Sequence, residues 1–194
     1  MKLLADRIKS DGKYLGNGIL KVDSFMNHQI DPVLMQSIGE EFARLFADQK
    51  PTRILTAETS GIAPALATGM ILKVPIVFAR KNKPVTMAGT DYREKANSHT
   101  KGGVVDLVVS SEYLDSTDRV LIVDDFLATA NTISALVRLV KASGANLVGI
   151  GAVIEKSFEG GRTKLSSQLT EGISVQSLAI IDRFEDDQII FCDS

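Results

Sequence analysis

Short apolar runs alternate with amphipathic segments along most of the chain. The run 120–123 is apolar at every position, whereas a strand with one face in water would alternate apolar and polar residues. Continuous apolar strands are typical of a parallel sheet that is covered on both faces. Their alternation with helical segments predicts a doubly wound α/β fold. The predicted strands are 53–57, 75–79, 104–110, 119–124 and 147–154.

Helical periodicity is clear after Pro32. Asp31 provides an N-cap, Pro32 suits the first helical position, and apolar residues follow at helical spacing as far as Phe46. Further helices are predicted over 1–11, 63–72 and 131–143, with one more helix and two short strands after Gly161. We therefore predict a single domain, residues 1–194, in which a doubly wound, mainly parallel sheet is flanked by helices.

Residues 81–103 interrupt this alternation, because they are polar, rich in turn-forming residues and without a clear period. A loop this long in a compact domain is usually a functional lid, although a tolerated surface insertion has the same appearance. The basic residues Arg80, Lys81 and Lys83 at its start favour the lid. Doubly wound sheets bind ligands beyond the carboxyl ends of their strands, so we expect the site in the loops after residues 57, 79, 125 and 154.

Composition places the chain among ordinary globular proteins. Of its 194 residues, 44% are hydrophobic and 24% are charged, and the net charge of −2 argues against nucleic-acid binding. Cys192 is the single cysteine, so no intrachain disulfide can form, which fits a reducing compartment. No apolar stretch has the length of a membrane span or a signal peptide. We expect a cytoplasmic protein with no membrane partner.

The segment 120–132 carries the most specific chemistry. A buried strand ends in Asp124 and Asp125, a loop of small and hydroxyl residues follows, and a helix begins. Small residues at a helix N-terminus allow backbone N–H groups to approach a phosphate, and Thr129 and Thr132 can add hydroxyl donors. Adjacent carboxylates repel each other. Hydrogen bonds from the two hydroxyls of a ribose would relieve this repulsion, and so would a nearby cation. A structural alternative is that the two acids only cap the following turn.

This segment resembles the phosphoribosyl-diphosphate signature of type I phosphoribosyltransferases. The resemblance implies that Asp124 and Asp125 bind the ribose hydroxyls. The positions that match the 5-phosphate loop are Ala128, Thr129, Ala130, Asn131 and Thr132. Alanine and asparagine stand at two of these positions, 130 and 131, where the family commonly has glycines.

Two further loops resemble the same family. The segment 58–62 resembles its diphosphate loop, and the Ser60-Gly61 pair in it can present N–H groups to an anion. Taken alone, the segment is more simply interpreted as an ordinary strand-to-helix turn. Arg80 and Lys81 match its basic pair, which neutralises the leaving diphosphate, and 81–103 matches its mobile loop. The resemblance implies phosphoribosyl diphosphate as substrate, Mg²⁺ held through the diphosphate and ribose hydroxyls, and a homodimer in which Arg80 reaches across the interface.

Five blocks of the sequence resemble the xanthine-using bacterial purine-salvage branch of the family. They are residues 19–32, 60–64, 77–81, 123–128 and 154–158. In that branch, residues matching Leu20, Asn27 and Lys156 contact the base. Lys156 only donates hydrogen bonds, which suits a 6-oxo purine, although a surface lysine at a strand end is the plainer interpretation. Phe158 could stack on the base or belong to the core. The resemblance also divides the domain into a hood, 1–35 with 156–194, and a core, 36–155.

Three alternatives stay open from the sequence. The chain could transfer phosphoribose to guanine, hypoxanthine or adenine, because these bases differ by single hydrogen-bonding groups. It could be a purine-sensing regulator, although it has no basic recognition helix. It could bind nucleotides without turnover, although the basic pair and the long lid argue against this. His28 and His99 form no recognisable catalytic or metal-binding pair.

Overall fold

The fold is built around one six-stranded sheet in the computed structural model, which describes residues 1–83, 87, 89–97, 103–186 and 188–192. The helices are α1 (Lys2–Asp11), α2 (Pro32–Phe46), α3 (Ile62–Leu72), α4 (Asn131–Ser143) and α5 (Gly161–Ser166). The strands are β1 (Lys13–Tyr14), β2 (Leu20–Lys21), β3 (Arg53–Ala57), β4 (Ile76–Ala79), β5 (Asp91–Asn97), β6 (Val104–Ser110), β7 (Arg119–Leu127), β8 (Asn146–Lys156), β9 (Val175–Glu185) and β10 (Gln188–Phe191).

The strand order of the main sheet is β10-β9-β8-β7-β3-β4, and every neighbouring pair is parallel except β9 with β10. This confirms the predicted mainly parallel sheet flanked by helices. β9 and β10 extend the sheet from within the segment assigned to the hood, so hood and core share a sheet. The position of the boundary between them stays a prediction.

The two faces of the sheet are covered by different helices. Leu121 and Val123 of β7 belong to a core with α1, α2 and α3, whereas Val120 and Ile122 belong to a second core with α4. All four side chains are fully buried. This two-sided burial is the reason why the strand is apolar at every position.

β7 is longer than the sequence predicts. It continues past the acid pair to Leu127, because Phe126 and Leu127 still pair with Ile154 and Glu155 of β8. The predicted N-terminus of α2 is confirmed, since the Asp31 carboxylate accepts hydrogen bonds from the N–H groups of the second and third helical residues, at 3.0 and 3.1 Å.

The placement of 104–110 in the main sheet is wrong. β6 instead forms a separate antiparallel pair with β5, which lies in the segment predicted to be an irregular loop. β5 is polar because Arg93 and Lys95 on its outer face are exposed, and among residues 91–96, whose burial is described, only Ala96 is buried. Residues 84–86, 88 and 98–102 of the predicted lid lie outside the described residues. Within the part of the chain that the structure describes, no helix has the length and apolar character needed to cross a membrane.

Candidate active site

The carboxyl ends of β3, β7 and β8 surround a cavity of about 440 Å³. Every predicted site residue except Arg80 lines it. These residues are Leu20, Asn27, Ser60, Gly61, Lys81, Asp124, Asp125, Ala128, Thr129, Ala130, Asn131, Thr132 and Lys156. The topology explains this convergence, because the carboxyl ends of parallel strands meet at one edge of the sheet.

The acid pair lies at the floor of the cavity. Asp124 is only 4% exposed, and its Oδ1 accepts a hydrogen bond from the N–H of Asp125 at 3.1 Å. Burial, followed by the neighbouring charge of Asp125, raises the pKa of Asp124 well above its ordinary value. Burial also raises the pKa of Asp125. The pair is therefore suited to accept hydrogen bonds from neutral hydroxyls, or to face a cation that arrives with a ligand.

The loop before α4 presents backbone donors to the cavity. Ala130 lies in the left-handed region, with φ 60° and ψ 18°, and no side chain caps the helix. The first helical hydrogen bond runs from Ser134 N–H to Ala130 O at 2.8 Å, so the amides before Ser134 precede the helical ladder. Thr129 Oγ1 is buried and has no hydrogen-bond partner. A helix N-terminus with these donors favours an anion.

The turn between β3 and α3 lies directly against the acid pair. A Cβ on Gly61 would come within 2.2 Å of Thr56 Oγ1 and 2.5 Å of Asp124 Oδ1. Only glycine permits this approach. Burial has the largest effect on the pKa of Asp125 and raises it, and the nearby Ser60 hydroxyl is the weakest of the groups that lower it.

Lys81 and Arg80 diverge at the end of β4. Lys81 lines the cavity, whereas Arg80 lines a second cavity of about 510 Å³ beside β4 and β6. Arg80 Nε lies 3.7 Å from Glu58 Oε2, and its guanidinium lies 5.9 Å from the Phe78 ring centroid. Successive residues of extended backbone point to opposite sides, and Arg80 is extended because it bridges Val108. The structure therefore does not bring Arg80 to the first cavity.

Glu58 is a cavity residue that the sequence analysis did not single out. Its Oε1 accepts a hydrogen bond from the N–H of Lys81 at 2.6 Å, and its own N–H donates to Ala79 O at 3.0 Å. Glu58 thereby ties the loop after β3 to the loop after β4. Its position directly after a buried strand was the available signal.

Lys156 lines the cavity together with Leu20 and Asn27. Its Nζ donates to Gly18 O at 2.7 Å and to Glu159 Oε1 at 3.1 Å. The same Nζ lies 5.6 Å from the ring centroid of Phe126, a lining residue that the sequence analysis also missed.

The remaining candidates lie elsewhere. Phe158 is 45% exposed, is absent from the lining, and contacts the Phe184 ring edge-on with 5.7 Å between centroids. His28 is exposed and does not line the cavity. His99 lies outside the described residues.

The model of the phosphoribosyl transferase domain family matches residues 28–179. The chain belongs to this family. Among its relatives, a xanthine phosphoribosyltransferase of Deinococcus deserti is 52% identical over 96% of this chain and 95% of its own length. A xanthine phosphoribosyltransferase of Moorella thermoacetica is 50% identical over 98% of this chain and 96% of its own.

The phosphoribosyl transferase fold is also seen in solved structures. The adenine phosphoribosyltransferase of Thermoanaerobacter pseudethanolicus is 25% identical, superposes with a TM-score of 0.71, and is matched over 91% of this chain and 98% of that chain. That of Giardia lamblia is 20% identical with a TM-score of 0.73. The latter likeness concerns the fold alone.

Proposed function

We propose that the protein transfers the 5-phosphoribosyl group from phosphoribosyl diphosphate to N9 of xanthine, giving XMP and diphosphate. The observation that carries this proposal is the convergence of the acid pair, the uncapped N-terminus of α4 and Lys156 on one cavity. The relatives named xanthine phosphoribosyltransferase, which match almost the whole chain at 50% identity or more, support the choice of base.

The phosphoribosyl group binds along the acid pair and the α4 loop. Asp124 and Asp125 accept hydrogen bonds from the ribose hydroxyls, and the residues 128–132 receive the 5-phosphate. The buried, unpartnered hydroxyl of Thr129 supports this orientation, since a buried donor without a partner is costly. A phosphate oxygen would supply the acceptor.

The diphosphate binds between the β3 and β4 loops. Ser60 and Gly61 present backbone donors, and Lys81 offsets the negative charge of the leaving group. Mg²⁺ is expected to enter with phosphoribosyl diphosphate and to neutralise diphosphate oxygens, a task for which Mg²⁺ commonly uses few carboxylates and substrate phosphates. Among the described residues no cluster of three metal-binding side chains exists, and the acid pair at the floor of the cavity fits a cation delivered by the substrate.

The purine binds between Lys156, Asn27 and Leu20. An ammonium has three donors, and Gly18 O and Glu159 Oε1 accept two of them. The third suits a carbonyl oxygen of a 6-oxo purine and clashes with the amino group of adenine. Asn27 can both donate to and accept from the purine edge.

The reaction needs positioning more than a nucleophilic side chain. N9 of the base bonds to C1 of the ribose, the bond from C1 to the diphosphate oxygen breaks, and the base loses its N9 proton. The cavity holds N9 behind C1 and stabilises the departing anion, which are the two contributions expected for such a transfer. Closure over the cavity by the segment 81–103 would keep water from the reactive sugar.

A homodimer and a cytoplasmic location belong to the same proposal. β4 is an edge strand, and its Phe78 is 37% exposed. Tyr113, which is 53% exposed, and Arg80 line the same cavity as Phe78. This surface supports the expectation that Arg80 acts at a neighbouring subunit's site. Light scattering on the purified chain should give a dimer and Phe78→Asp should give a monomer, whereas a monomeric wild type would contradict the proposal.

The direct test is formation of XMP from xanthine, phosphoribosyl diphosphate and Mg²⁺, followed by mass spectrometry. Wild-type protein should form XMP and diphosphate in equal amounts. Asp125→Asn should retain the fold and lose most of the activity, because one acceptor for the ribose hydroxyls is weakened. Absence of XMP with wild-type protein, despite binding of phosphoribosyl diphosphate, would contradict the proposal.

A further inference from the structure

The loop that receives the 5-phosphate has no cation of its own. Of the described residues that line the cavity, only Lys81 and Lys156 are basic; Lys81 follows β4, and Lys156 is the last residue of β8. A sugar 5-phosphate carries close to two negative charges at neutral pH. A nearby cation outside the lining would therefore add to the stabilisation that the helix N-terminus provides.

Lys164 of α5 is such a cation. Its Nζ donates a hydrogen bond to Oδ1 of Asn131 at 2.6 Å. Asn131 is the first residue of α4, lines the cavity, and occupies one of the two positions where the family commonly has glycine. The asparagine that replaces the usual glycine is therefore hydrogen-bonded to a lysine from another part of the chain.

The contact fixes the orientation of the Asn131 carboxamide. An ammonium has no acceptor, so the atom that receives its hydrogen bond must be the amide oxygen. The NH₂ group of Asn131 is then available as a donor to an anion in the loop. A glycine at position 131 could offer only its backbone N–H.

The N-terminus of α5 packs directly against the same loop. A Cβ on Gly161 would come within 2.1 Å of Ala128 O and 3.0 Å of Ala130 N. Lys164 N–H donates to Gly160 O at 3.1 Å, so the turn that carries the lysine begins at this contact. The backbone of α5 therefore sets the distance between Lys164 and the loop.

We propose that Lys164 is a positioning residue for the 5-phosphate, which acts by orienting the Asn131 carboxamide and by adding a positive charge beside the loop. This inference rests on the proposed function, since it assigns the 5-phosphate to the same loop. It adds a residue from α5 to a site otherwise built from the loops that follow the central strands.

The test compares Lys164→Met with wild type in two measurements. The KM for phosphoribosyl diphosphate with xanthine should rise roughly three- to tenfold, and kcat should change less. The Kd for ribose 5-phosphate, a probe without a base, should rise by a similar factor. Both effects should shrink in 0.5 M salt, because the charge is close to solvent. Lys164→Arg should restore most of the affinity.

Lys141→Met is the matched control. Lys141 lies in the last turn of α4, and its Nζ donates a hydrogen bond to Gln168 O at 2.9 Å. Its substitution by methionine removes the same charge as Lys164→Met. Its KM and Kd should equal those of wild type. In an Asn131→Ala background, Lys164→Met should have a smaller effect than in wild type, because part of its action passes through the carboxamide.

The outcomes separate the two proposals. If the wild type binds ribose 5-phosphate but Lys164→Met and Lys141→Met have the same KM and Kd, the proposed role of Lys164 is overturned and the proposed function is not. A wild type that neither binds ribose 5-phosphate nor turns over phosphoribosyl diphosphate would overturn the proposed function. Fully additive effects of Lys164→Met and Asn131→Ala would contradict the coupling through the carboxamide.

Discussion

The main-chain N–H of Asp125 donates a hydrogen bond to Oδ1 of Asp124 across 3.1 Å, which holds two acidic residues side by side at the floor of the cavity. Burial raises the pKa of both residues, and the charge of Asp125 adds to the effect on Asp124. The arrangement is costly for the folded protein and useful for binding, because ribose hydroxyls or a cation offset the same charges.

Asp124→Asn should raise the stability of the protein at alkaline pH while reducing its activity. The folded-state pKa of Asp124 is raised, so between pH 3.8 and that raised pKa the folded state binds more protons than the unfolded chain. The free energy of unfolding therefore falls as the pH rises through the raised pKa. Each pKa unit corresponds to about 1.4 kcal/mol, or roughly 3–6 °C in Tm.

Calorimetry at pH 8 and near pH 4 measures this effect. The Tm gain of Asp124→Asn should be largest at pH 8 and should narrow towards pH 4. Asp48→Asn, at an exposed position, should show no such trend. A Tm below that of wild type at pH 8 would contradict the assignment of the raised pKa.

Gly61→Ala should disable the site. The new Cβ would displace Thr56 Oγ1 and Asp124 Oδ1, and a displacement of about 1 Å near reacting groups can lower kcat/KM on the order of 100-fold. The Thr56 hydroxyl has no hydrogen-bond partner. Adding Thr56→Ala to Gly61→Ala should therefore recover part of the lost activity. If Gly61→Ala had wild-type kinetics, the close approach of the Gly61 backbone to Thr56 and Asp124 would be refuted.

Ala130→Gly should stabilise the protein by about 1 kcal/mol in chemical denaturation. A non-glycine residue in the left-handed region costs roughly 1–2 kcal/mol, which the greater freedom of glycine in the unfolded chain partly offsets. The KM for phosphoribosyl diphosphate should stay within about threefold, because the backbone donors are unchanged. Lys50→Gly relieves the same backbone conformation away from the cavity and provides the comparison. A loss of stability in Ala130→Gly would show that the methyl group packs favourably.

Lys156→Met should impair use of the base and spare the sugar. Losing a charged hydrogen bond costs about 1.5–3 kcal/mol, so kcat/KM for xanthine should fall roughly 10- to 100-fold. The KM for phosphoribosyl diphosphate should change little. Lys21→Met, next to the lining residue Leu20 but absent from the lining itself, serves as control. Equal losses for both substrates would indicate a structural role for Lys156.

The centre of the main sheet could be predicted from the sequence because two-sided burial makes β7 apolar at every position from Val120 to Val123. The same criterion failed for β5, whose outer face is exposed and whose composition therefore resembles that of a loop. It also misplaced β6, since an apolar run does not specify its partner strand.

The grouping of most predicted site residues around one cavity could be predicted because they lie at the ends of neighbouring strands that meet at one edge of the sheet. Their roles stay predictions. Arg80 could not be placed from sequence, since its direction depends on the bridge to Val108 that keeps the backbone extended. The pairing of Lys164 with Asn131 spans 33 residues and no local pattern indicates it. It depends on the packing of α5 against the loop before α4.

The most direct test of the central claim is the kcat/KM for xanthine, guanine, hypoxanthine and adenine, measured by diphosphate release with saturating phosphoribosyl diphosphate and Mg²⁺. Xanthine should have the highest value, and adenine, which presents an amino group to Lys156, should have the lowest. A preference for adenine, or turnover that is independent of any base, would contradict the central claim.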